Sequence, residues 1–114
     1  MNSREAGYLW DMVEAITNIQ EFIQDVSLEE YSKSLLLQSA VERQLEILGE
    51  AARRIPETFQ QKHTKIDWRG IIGLRNIISH QYDQVQPEIV WNIITVRLSP
   101  LLEQLQSLLP PLPQ

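Results

Sequence analysis

Apolar residues recur every three or four positions along almost the whole chain, the mark of helices that each bury one face. A first helix over residues 5–25 sets Leu9, Met12, Val13, Ile16, Ile19 and Ile23 on one stripe that runs on to Val26. Asp11, Glu14, Glu21 and Asp25 fall largely off that stripe. Ser27-Leu28-Glu29-Glu30 has the S-x-x-E form of a capping box and opens a new helix. One long segment follows, with Leu37, Val41, Leu45, Leu48, Ala52 and Ile55 in register, and Pro56 ends it or opens a short turn. Residues 57–66 are polar and predict a turn of helix plus a loop. Asp67 suits the N-cap of a helix beginning at Trp68, whose core stripe is Ile71, Leu74, Ile78 and Tyr82 and which fades near His80 to Tyr82. Gln86-Pro87-Glu88 restarts the chain, with Pro87 at a first helical position. A helix over 88–99 should kink or restart at Pro100 and continue through Leu101, Leu102, Leu105, Leu108 and Leu109 to a frayed tail at Pro110–Gln114. No period-two run predicts a strand. The pattern therefore predicts an all-α antiparallel helical bundle of four main helices plus short helical turns, as a single domain over 1–114.

Composition narrows what such a bundle does. With 43% apolar residues it can fill a core, yet no run approaches the roughly 20 apolar residues a membrane span needs. The start, Met-Asn-Ser-Arg-Glu-Ala-Gly, shows no apolar secretory segment, and the expected location is cytoplasmic. The absence of cysteine excludes disulfides, thiolate metal sites and cysteine nucleophiles. The net charge of −5 argues against a surface that coats nucleic acid broadly. Charge is uneven, however. Residues 51–80 hold Arg53, Arg54, Lys62, Lys65, Arg69 and Arg75 against Glu57 and Asp67, a local +4, while the remainder carries −9. A polyanion has one natural landing zone there, although Arg53, Arg54, Lys62 and Lys65 equally fit a solvated face around a turn. Trp10, Phe22 and Trp91 plot as exposed or half-exposed; they predict a partner surface or else complete the core.

The basic region contains Arg75-Asn76-Ile77-Ile78-Ser79-His80-Gln81-Tyr82, an R-x4-H-x-Y arrangement. A fixed guanidinium and a group that titrates near neutrality are the minimum pair for cleaving a phosphodiester without a metal. Histidine serves as base or acid, and arginine's planar fork suits the charge that builds on phosphoryl oxygens. On a regular helix Arg75 and His80 lie about 140° apart, so they meet on one substrate only at a helix end or across a dimer seam. Less specific readings are open: His80 as a residue complementing a helix dipole, Arg75 as half of a stacked pair with Tyr82. Gly49 sits inside the long helix, where glycine costs about 1 kcal/mol relative to alanine. Close approach of another helix explains it. Glu50 then becomes a candidate partner for Arg75 across the bundle, or simply a surface glutamate. Two histidines 17 residues apart and no clustered carboxylates offer no metal site.

These residues resemble the HepT family, small all-α toxins of the HEPN superfamily. Besides the motif, the likeness rests on Ala40-Val41-Glu42-Arg43, Leu45 to Ala51, Ile66-Asp67-Trp68-Arg69, Arg75-Asn76 and Trp91, and covers nearly the whole chain. It implies a metal-independent ribonuclease without a cofactor, the toxin of a type II toxin–antitoxin pair. By that resemblance Arg75 and His80 are catalytic, Asn76 and Arg69 contact the RNA, and Tyr82 is the site at which AMP is attached. The partners it implies are a second copy, forming a homodimer around a shared cleft, and an MNT-type nucleotidyltransferase antitoxin that silences the nuclease by AMPylation. A different class stays open beside it: a non-catalytic helical subunit of a two-component nucleotidyltransferase.

Overall fold

The structure, a computed structural model, describes residues 2–78 and 86–109. The described residues are helical with no strand among them. Three main helices are α1 (Ser3–Phe22), α3 (Leu35–Arg54) and α5 (Trp68–Ile78). The fourth is a C-terminal rod made of α6 (Pro87–Asn92), a π-helical turn over Ile93–Arg97, and α7 (Leu98–Leu108). The short helices α2 (Leu28–Lys33) and α4 (Glu57–Lys62) join them. This is the all-α bundle that the periodicity predicts.

Local chemistry sets where each helix begins. Asn2 caps α1: its Oδ1 accepts from the Glu5 N–H at 2.8 Å, and the Glu5 carboxylate accepts from the Asn2 N–H at 3.1 Å. Ser27 and Glu30 make the reciprocal pair expected at the start of α2. The single long segment expected beyond Ser27 is not formed. Ser34 is extended (φ −109°, ψ 101°), and its side chain accepts from the Leu37 N–H at 3.1 Å, starting a second helix. Serine offers the backbone this alternative partner, and Gln38 Nε2 donates to the Tyr31 and Ser32 carbonyls at the frayed end of α2. The break lets Tyr31 turn fully into the core while leaving Leu35 and Leu36 80% and 84% exposed.

Ile55 leaves helical geometry (φ −66°, ψ 127°), as the residue before a proline does, and Pro56 begins α4. Asp67 caps α5 as expected, accepting from the Gly70 N–H at 3.0 Å. Pro87 stands in the first turn of α6. The expected kink at Pro100 is displaced. Proline lacks an N–H, and its ring crowds the carbonyl four residues back, at Val96. The rod answers by widening into the π-helical turn one turn earlier and then runs on through Pro100.

α3 is the central element, packed by α1 on one side and α5 on the other. Leu9, Met12, Ile16 and Ile19 of α1 and Val41, Leu45 and Leu48 of α3 are fully buried. Each such side chain contributes about 1.5–3 kcal/mol by leaving water. Ile71, Leu74 and Ile78 of α5 and Leu98, Leu101 and Leu105 of α7 join the same cluster. Trp10 and Trp91 are partly buried against it, Trp91 tilted on Tyr31 at a ring separation of 5.3 Å, so the tryptophans complete the core. Phe22 is 37% exposed.

The α3–α5 crossing is tight at Gly49, which is buried. A Cβ there would lie 3.2 Å from the Ile71 carbonyl oxygen and 3.7 Å from the Arg75 Cβ and backbone N. Close packing of α5 therefore accounts for the costly mid-helix glycine, as its position predicts. Gly49→Val should push α5 outward and destabilise the protein by about 1–3 kcal/mol, read as a lowered melting temperature with helical circular dichroism retained.

Candidate functional site

The crossing at Gly49 sets the next residue of α3, Glu50, against α5. Arg75 Nη1 donates to Glu50 Oε2 at 3.0 Å, the pair expected across the bundle. Two further arginines reach the same carboxylate from one turn along α3. Arg53 donates through Nη2 to Oε1 at 2.7 Å and through Nε to Oε2 at 3.2 Å, and Arg54 Nε donates to Oε1 at 3.2 Å. One carboxylate thus orients three guanidiniums. The cluster carries a net +2, and over half of each arginine side chain remains open to solvent. A guanidinium has five N–H donors, so Arg54 and Arg75 each keep four for an incoming anion.

The Glu50 carboxyl is held far below its ordinary range, to about 2. The hydrogen bond from Arg53 is the largest cause. Burial works against it, and the Arg54 hydrogen bond and the charges of Arg53 and Arg75 add to it. The carboxylate is therefore ionised wherever the protein is folded under ordinary conditions, and the tether on Arg75 does not switch near neutral pH.

Beside the cluster is an open cleft of about 260 Å³. Tyr8 and Asp11 line it from α1, Arg43, Glu46, Glu50 and Arg54 from α3, and Arg75 from α5, with Ile47 and Ala51 between them. Tyr8 was not singled out in the sequence; its signal is the three-residue spacing to Asp11, which puts both on one face of α1.

The other residues of interest fall in different places. Arg69 and Asn76 are exposed on α5, and neither lines the Arg75 cleft. His80 and Tyr82, the remaining motif residues, lie outside the described residues. His63 stacks on Phe59 at 4.4 Å, and its carbonyl accepts from Trp68 Nε1 at 3.0 Å, a packing role away from the cleft. Lys62 and Lys65 border a separate surface hollow near Gln104 and Leu108. The basic region is thus split: Arg53 and Arg54 belong to the Arg75 cluster, and the lysines do not. Arg97 pairs with Asp67 at 3.2 Å across the start of α5. Among the described residues no group of three His, Cys, Asp or Glu could hold a metal ion, and no helix is long and apolar enough to cross a membrane.

Fold and cluster together define a helical bundle that presents a solvent-facing arginine cluster at the contact of two core helices. The profile described as ribonuclease HepT-like matches residues 12–108, and the chain belongs to that family. It is 35% identical over 94 residues to "Probable ribonuclease HepT" of Thermococcus cleftensis, a match covering 82% of this chain and 86% of that protein. A provisionally named RNase of Methanocaldococcus jannaschii is 34% identical over 95 residues, covering 82% and 87% of the two chains. Another, of Caldanaerobacter subterraneus subsp. tengcongensis, is 32% identical over 102 residues, covering 90% and 91%. No solved structure matches significantly.

The Glu50 assignment has a direct check. A group whose folded pKa is depressed gives its stabilisation above the unfolded pKa and loses it as pH falls through the folded one. The Glu50 side-chain carboxyl carbon, followed by NMR, should titrate near pH 2 rather than at the ordinary 4.5, and Arg53→Ala should move that midpoint upward. A midpoint unchanged by Arg53→Ala would show that the arginine does not set it.

Proposed function

We propose that this protein is the toxin of a type II toxin–antitoxin pair, a cytoplasmic, metal-independent endoribonuclease. The observation that carries the reading is Arg75. It opens the R-x4-H-x-Y motif of a ribonuclease-family chain and is oriented by Glu50 toward open solvent beside two further arginines. In this reading a base removes the 2′-hydroxyl proton of RNA, and the freed oxygen attacks the adjacent phosphorus. The bond to the 5′-oxygen breaks, an acid protonates that leaving group, and a 2′,3′-cyclic phosphate is left. His80 takes one of the two proton roles. Arg75 stabilises the charge on the non-bridging oxygens as it grows. Asn76 and Arg69, both exposed on α5, are proposed RNA contacts.

A homodimer supplies the second histidine. Ile77, within the motif, is exposed and apolar and gives a partner surface to cover; Leu35, Leu36, Ile89 and Val96 are exposed as well. A two-fold contact made through Ile77 would bring both copies of the motif to one seam. Tyr82 is the off-switch. An MNT-type nucleotidyltransferase antitoxin transfers AMP from ATP to its phenol, the phenol oxygen displacing pyrophosphate from the α-phosphorus, and the phosphodiester anion then occupies the arginines in place of RNA.

Cleavage should persist in EDTA and yield a cyclic phosphate end. It should vanish in His80→Ala and weaken in Arg75→Ala by about 3 kcal/mol or more of transition-state stabilisation. Loss of activity on chelation would remove the metal-free mechanism. Tyr82→Phe should keep ribonuclease activity and cellular toxicity while taking up no AMP, by mass spectrometry, when produced with its nucleotidyltransferase. AMP mapped to Tyr8 or Tyr31 would move the switch elsewhere.

A further inference from the structure

The cleft beside Arg75 has features that phosphodiester cleavage does not use. We propose that it is a nucleobase subsite selecting guanine for the nucleotide whose phosphate rests on Arg75, an assignment that builds on the ribonuclease reading.

Size sets the first limit. At about 260 Å³ the cleft falls just under the roughly 300 Å³ at the low end of small-molecule pockets, room for one base and its sugar. Its two kinds of wall suit the two halves of a nucleotide. Arg54 and Arg75 present free N–H donors for the phosphate, both already aimed by Glu50. Tyr8 offers an aromatic ring, and Ile47 an aliphatic surface, for the faces of a base. Stacking of this kind holds any base, because every base has a π-face.

Selection comes from Asp11. Of the carboxylates that line the cleft, Glu50 is taken by three arginines and Glu46 pairs with Arg43 at 3.4 Å. Asp11 makes no hydrogen bond or ion pair among the described residues and stands three residues from Tyr8 on the same face of α1. A carboxylate only accepts hydrogen bonds, through two oxygens side by side. Guanine alone presents two adjacent donors on one edge, N1–H and the 2-amino group, and so matches both oxygens at once. Uracil offers one N–H between two carbonyls. Cytosine and adenine set a single amino group beside a ring-nitrogen lone pair that the carboxylate repels. Counting Arg53 of the adjoining cluster, four arginines face the three carboxylates Asp11, Glu46 and Glu50, a net of only +1, so attraction for an anion is modest and base chemistry is left to discriminate.

The test is calorimetric titration of the intact protein with the 3′-monophosphates of guanosine, adenosine, cytidine and uridine, alongside mapping of cut sites in a random RNA. The 3′-guanylate should bind about ten-fold or more tighter than the other three, the discrimination expected of a bidentate base contact. Asp11→Asn, a change at an exposed position that leaves the core untouched, should erase the preference, and Tyr8→Ala should weaken all four. Equal binding of the four nucleotides, or a preference that survives Asp11→Asn, would overturn the assignment even if RNA is cut. Selective 3′-guanylate binding lost in Asp11→Asn would uphold it even if no RNA were cut, in which case the ribonuclease reading alone falls.

Discussion

The contact of α3 with α5 at Gly49 is the constraint on which the functional surface depends. Two core helices approach until the backbone of one meets the missing side chain of the other. The next residue is Glu50, and its carboxylate consequently lies within 3.0 Å of the Arg75 guanidinium. A wider crossing would leave Glu50 with only its own-helix partners, Arg53 and Arg54, and Arg75 would lose its anchor. Hydrophobic packing therefore fixes the aim of the catalytic candidate, although its guanidinium lies outside the core.

The electrostatic logic follows from the count of charges at that point. Three like charges within one helical turn and across one crossing would repel one another without the carboxylate between them. Glu50 offsets part of that repulsion and orders the guanidiniums, yet it cannot neutralise them. The residue of positive charge faces solvent, where an anion can complete the neutralisation. This is a more specific arrangement than the basic stretch of residues 51–80 implies, because it separates arginines that share one carboxylate from lysines that border a different hollow.

Much of this could be read from the chain itself. Gly49, Glu50 and Arg75 were legible because a glycine in mid-helix is expensive and a neighbouring acid has an obvious cationic mate. The caps at Ser27 and Asp67 and the stop at Pro56 were legible because their chemistry is local. The break at Ser34 was not. The apolar spacing from Leu37 to Ile55 runs on without a proline or glycine to interrupt it upstream, and the Ser34 cap declares a break only together with the tertiary gain of burying Tyr31. The widened turn at 93–97 was hidden for a related reason: a helix that absorbs Pro100 by changing its pitch keeps nearly the same three-and-four spacing. Tyr8 escaped notice because an aromatic on an amphipathic helix reads as core until the neighbouring helices define a cleft. His80 and Tyr82 were legible as motif residues, and they lie outside the described residues.

Gly49 and Glu50 are adjacent in sequence but are held by different physical constraints. Replacing Glu50 or Arg75 changes polar side chains outside the core and leaves the hydrophobic cluster intact, whereas a side chain at Gly49 presses on the backbone of α5. A lineage released from the need for this chemistry can thus discard the charges and keep the scaffold. The glycine would persist in such descendants as a relic of the crossing, marking where the vanished site once stood.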